Sequence, residues 1–253
     1  LAVRRQRQMC IRDRPNSLKA EEIRAEKIKL LRALRPIGSD KVDDYVVRGQ
    51  YTNGWIDGKP VVGYLEEEGA ENSNSNNETF VAIKVEIDNW RWAGVPFYMR
   101  TGKRLNAKHT EIIIAYKESS HSIIADKPLD SSNKLVIRLQ PNEGIELEMI
   151  SKKQSLKQRL STEKRVLNLD FHDSDSDKRV VDAYERLFLE LIKGDQWLFV
   201  SREEIETSWD WCDQIIDAWN KNKSPTRLYS AGSGGPAKAE VLIESDGRSW
   251  HGQ

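Results

Sequence analysis

The sequence predicts an α+β fold, a large, mainly antiparallel sheet backed by helices. Three observations carry that expectation. Apolar and polar side chains alternate with a period of two in several segments between Val46 and Phe171. Short turns such as Pro141-Asn142-Glu143-Gly144 join successive strands, as antiparallel pairing requires. Helical periodicity is confined to the flanks, before and after the strands.

Residues 17–35 read as the first helix. Ser17 is the expected N-cap, Glu21 and Glu22 fill the first turns, Ile23, Leu30, Leu31 and Leu34 form the apolar face, and Pro36 is the stop. Val46–Tyr51 reads as a strand, and residues 52–78 as mostly loop, with a polar, mobile tract from Glu71 to Asn77. Val81, Ile83, Val85 and Ile87 then alternate with Ala82, Lys84, Glu86 and Asp88, the pattern of a half-buried strand. Glu111–Tyr116 and Lys134–Gln140 are further strands; Ile145, Leu147 and Met149 line a returning one, and Val166–Phe171 adds another. Asp182–Lys193 reads as a helix with Tyr184, Leu187, Phe188 and Leu191 on one side and Gly194 as C-cap. Ser201-Arg202-Glu203-Glu204 is a capping box, opening a helix that carries Ile205, Trp209, Cys212, Ile216 and Trp219. A short last helix is expected over Ala237–Glu244, and no internal repeat is visible.

Composition narrows the function classes. Lys plus Arg and Asp plus Glu are 40 each, so the formal net charge is zero, which argues against a nucleic-acid binder driven by bulk charge. The eight tryptophans suit core and interface packing better than base stacking. Two cysteines, Cys10 and Cys212, are too few for a disulfide framework or zinc site and suit a reducing, cytoplasmic compartment. No apolar run approaches a membrane span, and no secretory signal is evident. Asn77-Glu78-Thr79 matches a glycosylation acceptor, by chance in a cytosolic chain. Residues 1–14 hold five arginines without a helical apolar stripe; they read as a non-native cloning or sequencing scar, with an Arg-rich transit peptide as the other possibility. Residues 15–253 form the expected domain.

The most informative string runs from Asn89 to Leu105, with Trp90, Trp92, Gly94, Pro96 and Phe97 followed by Arg100, Gly102, Lys103 and Arg104. Lys108 and His109 extend the positive cluster. Such a cluster suits a small dianion such as a phosphate monoester, since Lys brings a compact charge and Gly lets backbone come close. A solvated basic turn is the competing reading.

This string resembles the C-terminal half of the glucose-6-phosphate dehydrogenase family. So do Pro15-Asn16-Ser17-Leu18, Val47-Arg48-Gly49-Gln50-Tyr51, Thr79-Phe80-Val81-Ala82, the run from Val136 to Glu143, Asp182-Ala183-Tyr184-Glu185-Arg186-Leu187, Ser230-Ala231-Gly232-Ser233 and Gly235-Pro236. The resemblance implies a large antiparallel sheet that also makes the contact of a homodimer or tetramer, with residues 17–35 as the linking helix. It implies an enzyme that oxidises glucose 6-phosphate and reduces NADP in the pentose phosphate pathway. By the same resemblance Lys103 and Lys108 touch the sugar phosphate, and Gln140 matches a position near the sugar in some members. Arg100 and Arg138 share the locale, with a structural ion pair as the competing role.

The chemistry itself is expected elsewhere. Gly232-Ser233-Gly234-Gly235-Pro236-Ala237 fits a dinucleotide fingerprint only formally, since no convincing βαβ unit surrounds it. None of His109, His121, His172 and His251 lies in a string resembling the family's catalytic histidine motif. The resemblance implies that the base and most of the NADP site lie upstream of residue 15, in an N-terminal half absent from this sequence. Some family members hold a second, structural NADP; Glu146 and Glu148 on the returning strand, and Gly234 in place of a Trp, argue against it here. The runner-up reading is a non-catalytic sugar-phosphate-binding or dimerisation module. A nucleic-acid or membrane partner is not expected.

Overall fold

The structure, a computed structural model, describes residues 15–69, 75–117, 132–153, 162–171 and 183–252. The expectations for residues 1–14, for most of the polar tract after Glu71, and for His121, His172 and Asp182 fall outside the described residues. The chain divides into two compact units, Leu1–Asn106 with Val180–Gln253, and Ala107–Arg179.

The first unit is built on a four-stranded sheet in the order β10-β1-β4-β5. Its strands are β1 (Val46–Thr52), β4 (Phe80–Val85), β5 (Phe97–Gly102) and β10 (Arg227–Ser230). β1 pairs antiparallel with β4 and parallel with β10, and β4 pairs antiparallel with β5. A hairpin of β2 (Gly54–Ile56) and β3 (Lys59–Val61) interrupts the segment expected to be mostly loop. Asp57 and Gly58, both at positive φ, make its turn, as Asp-Gly favours.

Both faces of this sheet are covered, which corrects the half-buried reading of β4. Val47, Tyr51, Phe80, Ala82 and Tyr229 pack on one side with Ala239 and Leu242 of α5 (Ala237–Glu244). Val46 packs on the other with Ile37, Val42 of the one-turn α2 (Val42–Tyr45), and Ile215, Ala218 and Trp219 of α4 (Arg202–Asn222). Val81 and Ile83 of β4 lean on that second cluster. Full burial of the Phe80 ring contributes roughly 1.5–3 kcal/mol. Gly49 of β1 has to be glycine, because an added Cβ would stand 2.6 Å from Cγ of Pro236, where α5 crosses the strand.

The helices differ from expectation in detail. α1 spans Ala20–Arg32 with Lys19, not Ser17, at the N-cap; the Ser17 hydroxyl instead accepts the Lys19 N–H. Ile28 is its buried residue and Leu30 is exposed, because the helix turns Arg24 and Ile28 inward. Arg24 there donates to the carbonyls of Gln196 and Phe199. α4 carries the expected capping box, with Glu204 N–H donating to Ser201 Oγ at 3.2 Å and Ser201 N–H to Glu204 Oε2 at 2.7 Å. Trp219 of the predicted stripe is buried as expected, but the rest of the buried face is rotated away from it. Glu204, Ile215, Ala218 and Trp219 are buried, while Ile205 and Trp209 are 48% and 57% exposed. Trp211, outside the predicted stripe, donates its indole N–H to Arg35 O, and Trp219 lies under the Arg48 guanidinium. α3 (Ala183–Lys193) ends at Gly194 in left-handed geometry as expected, but Tyr184, Phe188 and Leu191 remain exposed.

The second unit is an antiparallel sheet in the order β6-β7-β8-β9. Its strands are β6 (Thr110–Ala115), β7 (Lys134–Gln140), β8 (Gly144–Lys152) and β9 (Thr162–Asp170). Ile112, Ile137, Ile145 and Leu169 align across it, as do Ile114, Leu135, Leu147 and Leu167. The α+β class and antiparallel pairing are borne out, with the strands shared between two four-stranded sheets and a hairpin among the described residues.

Ser201→Ala removes one half of the capping box and should cost about 1 kcal/mol. Burial pushes the Glu204 carboxyl up, but hydrogen bonds from Ser201 and the charge of Lys27 outweigh it and hold the carboxyl below its usual value. That contribution is present above the ordinary carboxyl range and fades as pH falls through the lowered value. Urea unfolding followed by tryptophan fluorescence should therefore show the Ser201→Ala deficit at neutral pH and a smaller one in acid.

Candidate functional site

The cationic turn begins where β5 ends. Gly102 closes the strand with its Cα facing inward; an added Cβ would lie 2.7 Å from the Phe80 ring and 3.2 Å from Leu105. The glycine therefore serves core packing, not close approach of a ligand. Lys103 follows, then Arg104 at φ 54°, a left-handed conformation that costs a non-glycine residue about 1–2 kcal/mol. Leu105 returns to the core cluster.

Backbone hydrogen bonds hold this turn along its length. Lys103 N–H donates to Thr79 O at 2.8 Å, and the Tyr229 hydroxyl donates to Lys103 O at 2.7 Å. Gly232 N–H donates to Arg104 O at 2.7 Å, and Asn106 N–H to Ser233 O at 3.0 Å. The Arg104 guanidinium pairs with Glu67 at 2.9 Å. Hydrogen bonds from Tyr51 and Arg104 hold the Glu67 carboxyl below its ordinary value. Burial and the neighbouring Glu67 charge push the Tyr51 hydroxyl up to about 12.

Partners separate the cations of the cluster. Arg100 stacks on the Trp250 ring at 4.7 Å and lies 3.8 Å from Glu240. Arg104 has Glu67, and His109 Nε2 is 3.5 Å from Glu111. Arg138 bonds Asn168 and Asp170, which supports the structural ion pair for it. Lys103 and Lys108 are exposed, and neither ammonium meets a carboxylate among the described residues. A lysine left unpaired in a cluster whose other cations are neutralised keeps its charge available to a ligand.

Lys103 belongs to the first unit, and Lys108 and Gln140 to the second. Lys108 lies two residues before Thr110, which pairs with Gln140, so both stand at one end of the β6–β7 pair. Of the string's tryptophans, Trp92 packs edge-on to Phe97 at 5.3 Å, while Trp90 is 86% exposed. Sequence reasoning missed Glu67, Thr79 and Tyr229 as supports of the turn, and it missed β10, which delivers Tyr229.

The glycine-rich segment after β10 does not fit a dinucleotide. Its N–H groups are committed internally, Gly232 to Arg104 O and Ser233 to Ser230 O. A Cβ at Gly232 would collide with Trp55 O, and one at Gly235 with the Phe80 ring. These glycines permit close packing and offer no phosphate cradle. On β8, Glu148 is buried against Lys164, so its charge is compensated and carries less of the case against a bound phosphate than expected. No group of three or more metal-binding side chains occurs among the described residues. No described helix is long and apolar enough to cross a membrane.

Fold and turn define an α+β sheet domain in which, among the described residues, Lys103 and Lys108 meet no carboxylate. Comparison with known proteins gives the family. The family model described as "Glucose-6-phosphate dehydrogenase, C-terminal domain" matches residues 8–251. Glucose-6-phosphate 1-dehydrogenase of Dickeya dadantii is 48% identical over 240 residues, covering 94% of this chain and 48% of the relative. The Rhizobium meliloti enzyme of the same name is 47% identical over 238 residues, with the same coverage. A solved structure, "Glucose-6-phosphate dehydrogenase in complex with its substrate glucose-6-phosphate", superposes with a TM-score of 0.79 at 32% identity, covering 94% of this chain and 47% of that one. The chain belongs to the glucose-6-phosphate dehydrogenase family and matches its C-terminal domain. It spans about half the length of the curated relatives it matches.

Glu67 supports the turn as a carboxylate, and that support is complete above the ordinary carboxyl range and lost as pH falls through its lowered value. Tyr51 supports it as a phenol, fully below its ordinary value of 10 and decreasingly toward about 12. Amide exchange protection factors at Gly102–Leu105, corrected for the intrinsic rate at each pH, should be greatest between those limits, and Glu67→Gln should remove the acid-side loss of protection.

Proposed function

We propose that this chain is the sheet domain of an NADP-dependent glucose-6-phosphate dehydrogenase. The whole enzyme oxidises the C1 hydroxyl of glucose 6-phosphate to the lactone, passing hydride to NADP and the hydroxyl proton to a base. Neither the base nor the cradle for NADP is assigned to any residue of this chain. Its part is to hold the sugar phosphate. Lys103 and Lys108 grip phosphate and sugar oxygens by charge-assisted hydrogen bonds, and Gln140 contributes an amide near the sugar. The observation that carries this reading is the partnering of the cluster: Arg100, Arg104 and His109 face protein carboxylates, and among the described residues the two family-matched lysines do not.

The enzyme works as a homodimer or tetramer in the cytoplasm, in contact with neither membrane nor nucleic acid. Support for assembly through the sheet comes from the second unit, where Ile112, Leu167 and Leu169 are about half exposed on one apolar face. A freestanding module is the weaker reading, because the relatives described above bear the name of the dehydrogenase.

In the complete enzyme, Lys103→Ala should raise KM for glucose 6-phosphate by the scale of a lost charged hydrogen bond, about 1.5–3 kcal/mol. An unchanged KM removes Lys103 from the site. Purified residues 15–253, given glucose 6-phosphate and NADP, should produce no NADPH. Leu167→Asp should shift the enzyme toward monomer in sedimentation velocity.

A further inference from the structure

We infer that Tyr229 and Thr79 are positioning residues for Lys103, holding its main chain at the end of a one-way run of hydrogen bonds. This rests on the reading of Lys103 as a sugar-phosphate contact and adds the groups through which the fold sets its place.

The run starts on the central strand. Tyr51 N–H of β1 donates to Thr79 Oγ1 at 3.1 Å. Thr79 Oγ1 and the Tyr229 hydroxyl are 3.1 Å apart. The Tyr229 oxygen is 2.7 Å from Lys103 O and 3.3 Å from Thr79 O. A phenol has one proton, and a carbonyl only accepts. The shorter contact assigns that proton to Lys103 O, so the Thr79 hydroxyl must donate to Tyr229. Every donor then finds an acceptor, in the order Tyr51, Thr79, Tyr229, Lys103. Aligned bonds of this kind polarise one another and stiffen the group at their end.

The ring that carries the last hydroxyl is fixed independently. Tyr229 is 4% exposed, with its centroid 5.6 Å from Phe80 and 6.3 Å from Tyr51. β10 seats it through its parallel pairing with β1, opposite Tyr51. The core therefore sets the ring, the ring sets the hydroxyl, and the hydroxyl sets the Lys103 carbonyl. Thr79 O closes the other side by accepting Lys103 N–H. Both main-chain polar groups of Lys103 are thus engaged by Thr79 and Tyr229, while its ammonium is left unpaired among the described residues. Arg104, next in the chain, is held in left-handed geometry. Such over-determination of one exposed lysine is what a ligand contact requires and a solvated turn does not.

The test uses the complete dehydrogenase carrying this sequence, with KM for glucose 6-phosphate, KM for NADP, kcat and Tm measured for each variant. Tyr229→Phe and Thr79→Val should each raise KM for glucose 6-phosphate about fivefold, with kcat and the NADP KM within about twofold. Thr79→Ser, which keeps the hydroxyl, should behave as wild type. In a Lys103→Ala background Tyr229→Phe should add nothing, because its effect passes through Lys103. The inference is overturned if Tyr229→Phe or Thr79→Val folds normally and leaves the sugar-phosphate KM unchanged, or raises it equally without Lys103. If Tyr229→Phe does not fold, the Thr79→Val and Thr79→Ser pair decides by the same criteria. A Lys103→Ala enzyme with unchanged KM brings down the underlying reading as well, so the two failures are distinguishable.

Discussion

Burial of β1 on both faces is the constraint on which the first unit depends. Val47 and Tyr51 face α5, while Val46 faces α2 and α4, so the strand joins two hydrophobic clusters. A strand buried on both sides must satisfy its polar groups internally. β4 and β10 do this along its two edges, and buried Gln50 donates to the carbonyls of Ser75 and Asn77. Arg48, also on β1 and half-buried, stacks on Trp219 and donates to Ser224 O.

From that core the fold reaches the surface at one well-held turn. β10 brings Tyr229 beside Tyr51, and the start of β4 brings Thr79. Between them they fix the main chain after β5, whose last residue packs on Phe80. Charge distribution then separates structural from available cations. Arginines in and around the cluster pair with Glu67, Glu240 and Asp170. Lys103 and Lys108 remain in solvent, where a compact, strongly hydrated charge costs little to hold.

Much of the fold was legible because periodicity is a local signal. Lys134–Gln140 and Ala237–Glu244 occur with the predicted bounds, and the Ser201 box is formed in full. What failed depended on partners distant in sequence. Arg-Leu-Tyr-Ser at β10 is too short to show alternation and is a strand only because β1 lies beside it. The α4 stripe through Ile205 and Trp209 is as apolar as the buried one, and the Arg35 carbonyl that accepts the Trp211 indole N–H is a partner no helical wheel contains. At the site, the resemblance pointed to Lys103, Lys108 and Gln140. Which cations are neutralised could not be read from the string, since Glu67 and Glu240 lie far from it in sequence.

The parallel pairing of Gly49 with Arg227 also orders events on the ribosome. The second unit, Ala107–Arg179, is a continuous stretch, and all of it is synthesised before β10 exists. Until then β1 has one open side, a row of unsatisfied backbone groups that invites a neighbouring chain. A nascent polypeptide stalled or truncated before Arg227 therefore exposes the backbone edge of an inner strand of its sheet, and chaperone demand should peak in that interval of translation.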